Sequence, residues 1–168
     1  YIVAAGSKSF SDGVEDIWVL KLDSSGNVDW QKTYGGADYA DNAYAIQQTA
    51  DGGYIVAGVT RSFYYGVADA WVLRLDRTGE VIWQKAYGDL YSDEVAYAIQ
   101  QTADGGYIVA GLTTSFGAGN DDVWVLKLDG NGDAIWQKTY GDKGDERAYA
   151  IRQTADTGYI VTGMTTSF

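Results

Sequence analysis

The chain has 168 residues and a formal net charge of −11 at pH 7, from 12 Lys or Arg and 23 Asp or Glu. This acidic balance argues against nucleic acid and anionic membrane as partners, because both are bound through clustered basic residues. No apolar run is long enough to insert into a membrane. Cys and His are both absent, which excludes disulfides, Cys/His zinc sites and catalysis by a thiol or an imidazole.

Taken in chain order, the sequence repeats itself every 53 residues, as the positions of Trp18, Trp71 and Trp124 show. It enters the repeat part-way, at YIVAAG, and the first complete copy starts at Ala43. In that copy four runs with the composition of β-strands are separated by Gly-containing turns: AYAIQQT, YIVAG, WVLRLD and VIWQKAYG. No run carries the apolar spacing of a helix. We therefore predict an all-β fold.

The pattern within the four strands predicts their places in a sheet. YIVAG and WVLRL are apolar on both faces, as in strands covered by neighbouring sheets. The small residues of AYAIQQT suit an innermost strand beside a propeller axis, and the polar residues of VIWQKAYG suit an outer edge. The prediction is a β-propeller of about three tandem four-stranded antiparallel blades. Residues 1–42 would form strands two to four of a partial blade, 43–95 and 96–147 two whole blades, and 148–168 the first two strands of another.

The strands at the two ends of the chain predict assembly. Thirteen strands are one more than three blades require, and three blades are fewer than the four to eight that close a propeller. Because the chain begins inside a strand and without Met, we expect it to be a piece of a larger propeller or array, whose further blades it contacts. Self-assembly of identical copies is the alternative. The assembly contacts are assigned to Tyr1, Ile2, Val3, Tyr159, Ile160 and Val161.

The repeat also resembles a known family. The motif D-x-W-V-L-K-L-D-x-x-G-x-x-x-W-Q-K-T-Y-G-G, followed by A-Y-A-I-Q-Q-T-A-D-G-G-Y-I-V-A-G-x-T-x-S-F, resembles the seven-bladed SBBP-type β-propeller repeats of bacterial and archaeal cell-surface and secreted proteins. The resemblance covers essentially every residue and implies an extracellular or cell-surface setting and a scaffold or interaction role. The element LDRTGEVIW is similar, more distantly, to the repeat of quinoprotein (PQQ) propellers, but no cofactor residue of those enzymes can be carried over to this chain.

One turn carries a hypothesis of metal binding. Asp129, Asn131 and Asp133 match the start of a calcium loop, although the later Gly and bidentate Glu of an EF-hand are missing. Because Asp23 and Asp76 precede the same turn in the other copies, the alternative is an Asx turn, in which the carboxylate accepts backbone N–H groups. Ca²⁺ here is the one cofactor hypothesis that the sequence supports.

The loops that differ between copies are acidic, with Asp38, Asp41, Asp89, Asp93, Glu94, Asp142, Asp145 and Glu146. Paired carboxylates can hydrolyse a glycosidic bond, but each copy has its own cluster, whereas a catalytic pair is unique. We therefore expect a solvated acidic rim. Four tyrosines lie in loops outside the repeat register, and they are the predicted contacts of a ligand bound through aromatic faces: Tyr39, Tyr64, Tyr65 and Tyr91.

These observations predict a non-catalytic β-propeller repeat scaffold, secreted or on the cell surface, with a structural or adhesive role. Its partners would be further blades of the same protein, identical copies, or a protein or glycan ligand. The alternative is a fragment of a glycan-active or quinone-dependent propeller enzyme, which requires a cluster of polar residues confined to one copy. Only clusters that recur in every copy are found, so no catalytic residue is assigned.

Overall fold

The computed structural model describes residues 1–9, 14–63 and 67–167. These residues form thirteen β-strands in four antiparallel sheets and contain no helix. The all-β prediction is thus confirmed. No helix that could cross a bilayer occurs in this part of the chain.

Each sheet is a meander, in which strands adjacent in sequence are adjacent in space. The first sheet comprises β1 (Ile2–Ser7), β2 (Asp16–Leu22) and β3 (Val28–Tyr34). The second comprises β4 (Asn42–Gln48), β5 (Tyr54–Thr60), β6 (Asp69–Leu75) and β7 (Val81–Tyr87). The third comprises β8 (Glu94–Gln101), β9 (Tyr107–Thr113), β10 (Asp122–Leu128) and β11 (Ala134–Tyr140). The fourth pairs only β12 (Glu146–Gln153) with β13 (Tyr159–Thr165).

The meander separates two kinds of connection. Short turns join β2 to β3, β4 to β5, β6 to β7, β8 to β9, β10 to β11 and β12 to β13, all at one end of the strands. The longer loops all lie at the opposite end, which we call the loop face. Its described residues are 8–9, 14–15, 35–41, 61–63, 67–68, 88–93, 114–121 and 141–145. Loops that differ between copies are therefore gathered on one side of the molecule.

The short turns need residues that tolerate a positive φ. In the turn that joins β4 to β5, Gly52 has φ +85, and Gly105 has φ +83 at the equivalent position of the third sheet. The fourth sheet has Thr157 there, at φ 69. A β-branched residue in this region is strained, because its Cβ crowds the backbone.

The sheets pack face to face, and their interior strands form the core. All seven residues of β5, β6 and β9 are buried, as expected of strands covered on both faces. The outermost strands, β7 and β11, keep most of their residues exposed or half-exposed. One apolar cluster joins the second sheet to the third through Val72 of β6, Val109 of β9 and Leu126 of β10. Burying such side chains contributes about 1.5–3 kcal/mol each.

A β-bulge shapes the first strand of each later sheet. The register between β4 and β5 shifts between Ala43 and Ala45, and the same shift occurs in the third and fourth sheets. A Cβ on Gly58, opposite the bulge, would lie 1.9 Å from the Asn42 carbonyl oxygen. Only glycine fits at this position. The bulge leaves Tyr44 half-exposed along the inner edge of its sheet.

Candidate functional site

The loop face is held in place by three buried carboxylates: Asp41, Glu94 and Glu146, which are 0%, 0% and 5% exposed. The expectation of a solvated rim is wrong for these three acids. Each stands at the start of the first strand of its sheet, or one residue before it, and each accepts hydrogen bonds from two loops. A carboxylate that bonds both loops fixes their relative position, because buried acceptors must remain satisfied.

The bonds of Glu94 illustrate this arrangement. Its Oε2 accepts from the Asp89 amide at 3.0 Å, within its own loop. Its Oε1 accepts from the Thr113 hydroxyl at 2.8 Å and from the Ser115 hydroxyl, both in the following hairpin. In the fourth sheet Glu146 repeats the pattern with Asp142, Thr165 and Ser167. A Thr-x-Ser sequence after the second strand, with an acid 19 residues before the Thr, is the signal from which this bonding could have been inferred.

Backbone bonds tie the loops of one sheet to the next. The Asp41 amide donates to the Glu15 carbonyl, the Glu94 amide to Ala68 and the Glu146 amide to Asp121, each at 2.7 Å. The three bonds occupy equivalent positions at the three junctions between sheets. The loop face is therefore a continuous, hydrogen-bonded surface.

A second buried acid lies beside Glu94. Asp69, at the start of β6, is 1% exposed, and its Oδ2 has no hydrogen-bond partner within the described residues. A Cβ built on Gly88 would lie 2.2 Å from Asp69 Oδ1 and 2.5 Å from Glu94 Oε2, so the two carboxylates are neighbours. Burial raises the pKa of Asp69 to about 6, and the charges of Glu94 and Asp93 add to the effect. A carboxyl with a raised pKa is a candidate acid catalyst as well as a packing feature.

The pair is not confined to one junction. A Cβ on Gly141 would meet Asp122 Oδ1 at 2.1 Å and Glu146 Oε2 at 2.6 Å, and a Cβ on Gly35 would meet Asp16 and Asp41 in the same way. All three junctions therefore bring together an acid of one sheet and an acid of the next. This recurrence favours a structural role over catalysis at one pair.

Apolar side chains project from this surface, and those of Tyr39, Leu90 and Tyr91 differ between copies, whereas Phe116 recurs. Tyr91 is 89% exposed and Tyr39 is 43% exposed. Leu90 and Phe116 are also exposed and line a cavity of about 280 Å³ that includes Asp69. The predicted contacts Tyr64 and Tyr65 lie outside the described residues. The structure thus places Tyr39 and Tyr91 on the same face, each in a different loop.

The strands β4, β8 and β12 carry a feature that sequence reasoning missed. Tyr44, Tyr97 and Tyr149 form a ladder of tilted rings, with centroids 5.0 and 5.5 Å apart and ring planes inclined by 57° and 55°. The side-chain oxygen Oε1 of Gln47 in β4 accepts from the backbone amide of Gln101 in β8 at 2.7 Å, and Oε1 of Gln100 in β8 accepts from the backbone amide of Gln153 in β12 in the same way. The recurrent Tyr and Gln of AYAIQQT were the available signal. These side chains join the first strands of three neighbouring sheets.

The proposed calcium residues are engaged within the protein. Asp129 Oδ1 accepts from the Asn131 and Asp133 amides, both at 2.8 Å, and Asp133 bonds Lys85 Nζ at 2.7 Å. Asp23 and Asp76 accept amide bonds from equivalent residues of their own turns. Among the residues 1–9, 14–63 and 67–167, no group of three or more acidic side chains is arranged to hold a metal ion. Ca²⁺ binding at Asp129 stays a prediction.

The edge strands assigned to assembly differ in how firmly they are held. Tyr1 is 78% exposed and Val3 is 40% exposed, while the amino terminus donates to the Leu22 carbonyl at 2.8 Å. In β13, Ile160 is 58% exposed, and Tyr159 and Val161 are half-buried. Ile2 packs against the core of the first two sheets. Both strands have one unpaired edge within the described residues.

Comparison with protein-family models gives no match, and comparison with curated proteins gives none either. The function of the loop face is therefore inferred from its own geometry.

Proposed function

We propose that the chain is a non-catalytic β-propeller repeat scaffold, secreted or on the cell surface, whose loop face binds a glycan or protein ligand. The observation that carries the proposal is the contrast within the loop face. Its framework is fixed by buried carboxylates, yet it exposes aromatic and aliphatic side chains that differ between copies. Exposed apolar groups on a rigid surface are typical of interaction sites.

Two observations support the propeller. The four sheets are meanders of the same repeat, as propeller blades are. Their first strands β4, β8 and β12 are joined by glutamine bonds and by the tyrosine ladder, as expected of strands nearest a common axis. The resemblance to SBBP-type repeats supports the same fold and the extracellular setting.

A glycan is the ligand to test first, because aromatic rings stack on sugar faces and Tyr91 is almost fully exposed. The purified 168-residue chain is applied to a microarray of microbial surface glycans, with the variants Tyr91→Ala and Tyr39→Ala. We expect each variant to weaken binding about tenfold, which is the loss of one aromatic contact. Ile82→Ala, which removes an exposed aliphatic side chain from β7, is the matched control.

Glycan binding that survives both tyrosine substitutions would contradict a binding site on the loop face. If the chain binds no glycan, the proposed ligand is a protein. The extracellular setting has its own test. An antibody against the chain should label intact cells of the source organism or detect the protein in the medium. Labelling that requires permeabilised cells would contradict that setting.

The Asp69–Glu94 pair favours a second candidate, a glycan-active enzyme, because a carboxyl with a raised pKa beside another carboxylate can protonate a leaving group. Incubation of the chain with each bound glycan tests this candidate. Release of reducing ends that Asp69→Asn abolishes would establish the enzyme and contradict the scaffold.

A further inference from the structure

An apolar groove lies at one end of the stack of sheets. Its volume is about 750 Å³, and we call it the end groove. One wall is the outward face of the third sheet, with Val125, Trp136 and Tyr140, and the other is β13, with Tyr159 and Val161. The groove lies beside the fourth sheet, in which the described residues form two strands where those of the second and third sheets form four.

The two complete junctions of the molecule show what fills this space. Between the first and second sheets it is filled by the third strand of the second sheet, β6, through Trp71, Leu73 and Leu75. Between the second and third sheets it is filled by β10, through Trp124, Leu126 and Leu128. Trp71 and Trp124 are both 1% exposed. The end groove therefore has the shape to accommodate a strand with Trp and two Leu at alternate positions.

Hydrogen bonds at these junctions repeat as well. Trp83 Nε1 donates to the Gly130 carbonyl at 3.2 Å, and the Tyr87 hydroxyl donates to the Gly132 carbonyl at 2.6 Å. Trp30 and Tyr34 make the same two bonds one junction earlier, to Arg77 and Gly79. Both acceptors belong to the turn that follows the inserted strand. Trp136 and Tyr140, the equivalent donors of the third sheet, make no such bond within the described part of the chain.

The complementary surface lies at the other end of the stack. There β2 turns Trp18, Leu20 and Leu22 away from the second sheet, and all three are half-buried, whereas their equivalents in β6 are fully buried. The turn after β2 carries the carbonyl groups of Ser24 and Gly26 at the positions of the acceptors named above. The surface that the end groove fits is therefore present in the same chain.

We propose that the end groove binds β2 of a second copy of this chain, head to tail. The inference rests on the proposed repeat scaffold and deepens it by naming a partner. Trp18, Leu20 and Leu22 of the second copy enter the groove. Trp136 and Tyr140 donate to its Ser24 and Gly26 carbonyl groups. A contact between two different surfaces continues from copy to copy, giving a closed ring or an open chain of copies.

One strand must move for this contact to form, because β1 of the second copy and β13 are equivalent strands that compete for the edge of β12. β13 is the one displaced, and β1 of the second copy takes its place as the second wall of the groove, with Tyr1 and Val3 at the positions of Tyr159 and Val161. β13 pairs with β12 and reaches the third-sheet core only through Tyr159 and Val161. β1 pairs with β2 and also packs against the core of the second sheet through Ile2 and Ala4. The product is a complete four-stranded sheet of β12 with β1, β2 and β3 of the second copy.

The test uses single substitutions on each surface. Leu20→Lys places a charge on the inserted strand, and Trp136→Ala removes a wall of the groove. Sedimentation of the unmodified chain should give a mass above 18.2 kDa that rises with concentration. Each substitution should weaken self-association by about thirtyfold, as loss of an interface anchor does. Ile82→Lys, on an exposed position of the second sheet, is the control and should associate as the unmodified chain does.

Mixing the two defective variants distinguishes this interface from others. Each retains one intact surface, so a 1:1 mixture should form a heterodimer and stop at two copies. A chain without residues 159–168 should associate more tightly than the full chain, because the competing strand is gone. An unmodified chain that stays monomeric at about 1 mM, where even weak pairs form, would overturn the proposal, and so would a mixture without heterodimers. Glycan binding by such a monomer would leave the proposed function standing.

Discussion

Replacing Asp69 with Asn should stabilise the fold at neutral pH. The Asp69 side chain is 1% exposed, and its Oδ2 has no hydrogen-bond partner within the described residues. Burial, together with the charges of Glu94 and Asp93, raises its pKa to about 6. Ionised Asp69 is therefore a destabilising group, which an uncharged side chain of the same shape relieves. The amide of Asn can also donate to the Glu94 carboxylate.

The size of the stabilisation expected for Asp69→Asn follows from the shift in the pKa of Asp69. A rise of about two units above the ordinary value corresponds to about 3 kcal/mol of unfolding free energy once the carboxyl is ionised in both states. The buried amide of Asn costs part of that gain, since it must itself be desolvated. We expect a net stabilisation of about 1–2 kcal/mol above pH ~7.

The raised pKa of Asp69 determines the direction in which the stability changes with pH. Because the folded-state pKa is raised, the folded state holds the Asp69 proton more firmly than the unfolded state does. The stability that comes from the protonated form is fully present below pH ~4 and is lost as pH rises through about 6. The advantage of Asp69→Asn should therefore be small at pH ~4 and grow to its full size by pH ~7.

Urea unfolding of both proteins at several pH values between about 4 and 8 measures this difference. Asp104→Asn is a control of opposite sign. The Thr102 hydroxyl and Lys127 lower the pKa of Asp104 to about 2. Loss of the Asp104 carboxylate should lower the unfolding free energy by about 1 kcal/mol at neutral pH, a figure discounted because the side chain is 58% exposed. The reasoning about Asp69 is refuted if Asp69→Asn destabilises the protein at pH ~8 or gives a difference that does not change with pH.

Four further substitutions test the packing. Tyr87→Phe removes the bond to Gly132 and should lower the unfolding free energy by about 1 kcal/mol, whereas Tyr140→Phe should leave it unchanged in dilute monomer. Thr157→Gly should raise the melting temperature, because relief of a positive φ at a β-branched residue gives about 1 kcal/mol. Gly58→Ala should lower it by many degrees or prevent folding, since the added methyl meets a strand carbonyl at 1.9 Å. Calorimetry checks all of these variants, and an unchanged Gly58→Ala would contradict the bulge.

The strands could be predicted because their signals are local. The continuous apolar runs and the turn glycines that bound them lie within a few positions of each other, so β5 and β6 were identified as covered strands from their composition alone. The bulge in β4 could not be predicted, since it depends on the approach of Gly58 to a neighbouring strand. The exposure of Tyr44 and its place in the tyrosine ladder follow from that bulge.

The burial of the loop acids shows a second limit of prediction from the sequence. Asp38 and Asp41 have the same residue type and nearly the same position, yet Asp41 is fully buried. The difference arises from Ser62 and the Arg61 amide, which lie in the next hairpin and hydrogen-bond Asp41. Solvation of a carboxylate therefore depends on residues about 20 positions away, which pattern reasoning within one loop does not include.

The charges of the two faces differ, and this difference bears on the ligand. On the turn side, basic side chains neutralise acids in pairs: Lys21–Asp29, Arg74–Asp51, Lys127–Asp104, Lys85–Asp133 and Lys32–Glu80. On the loop face Arg147 pairs with Asp121, and the described loops carry more Asp and Glu than Lys and Arg, so this face has a net negative charge.

A ligand of the loop face must therefore approach a negative surface, whose repulsion of anions is strongest at low ionic strength. Neutral and amino sugars satisfy this condition, and uronic or sialic acids do not. On the glycan microarray, binding should accordingly be confined to uncharged and cationic glycans. If acidic glycans bind as well as neutral ones in low salt, the contact does not lie on the loop face, and the exposed tyrosines would lose their assignment as the ligand site.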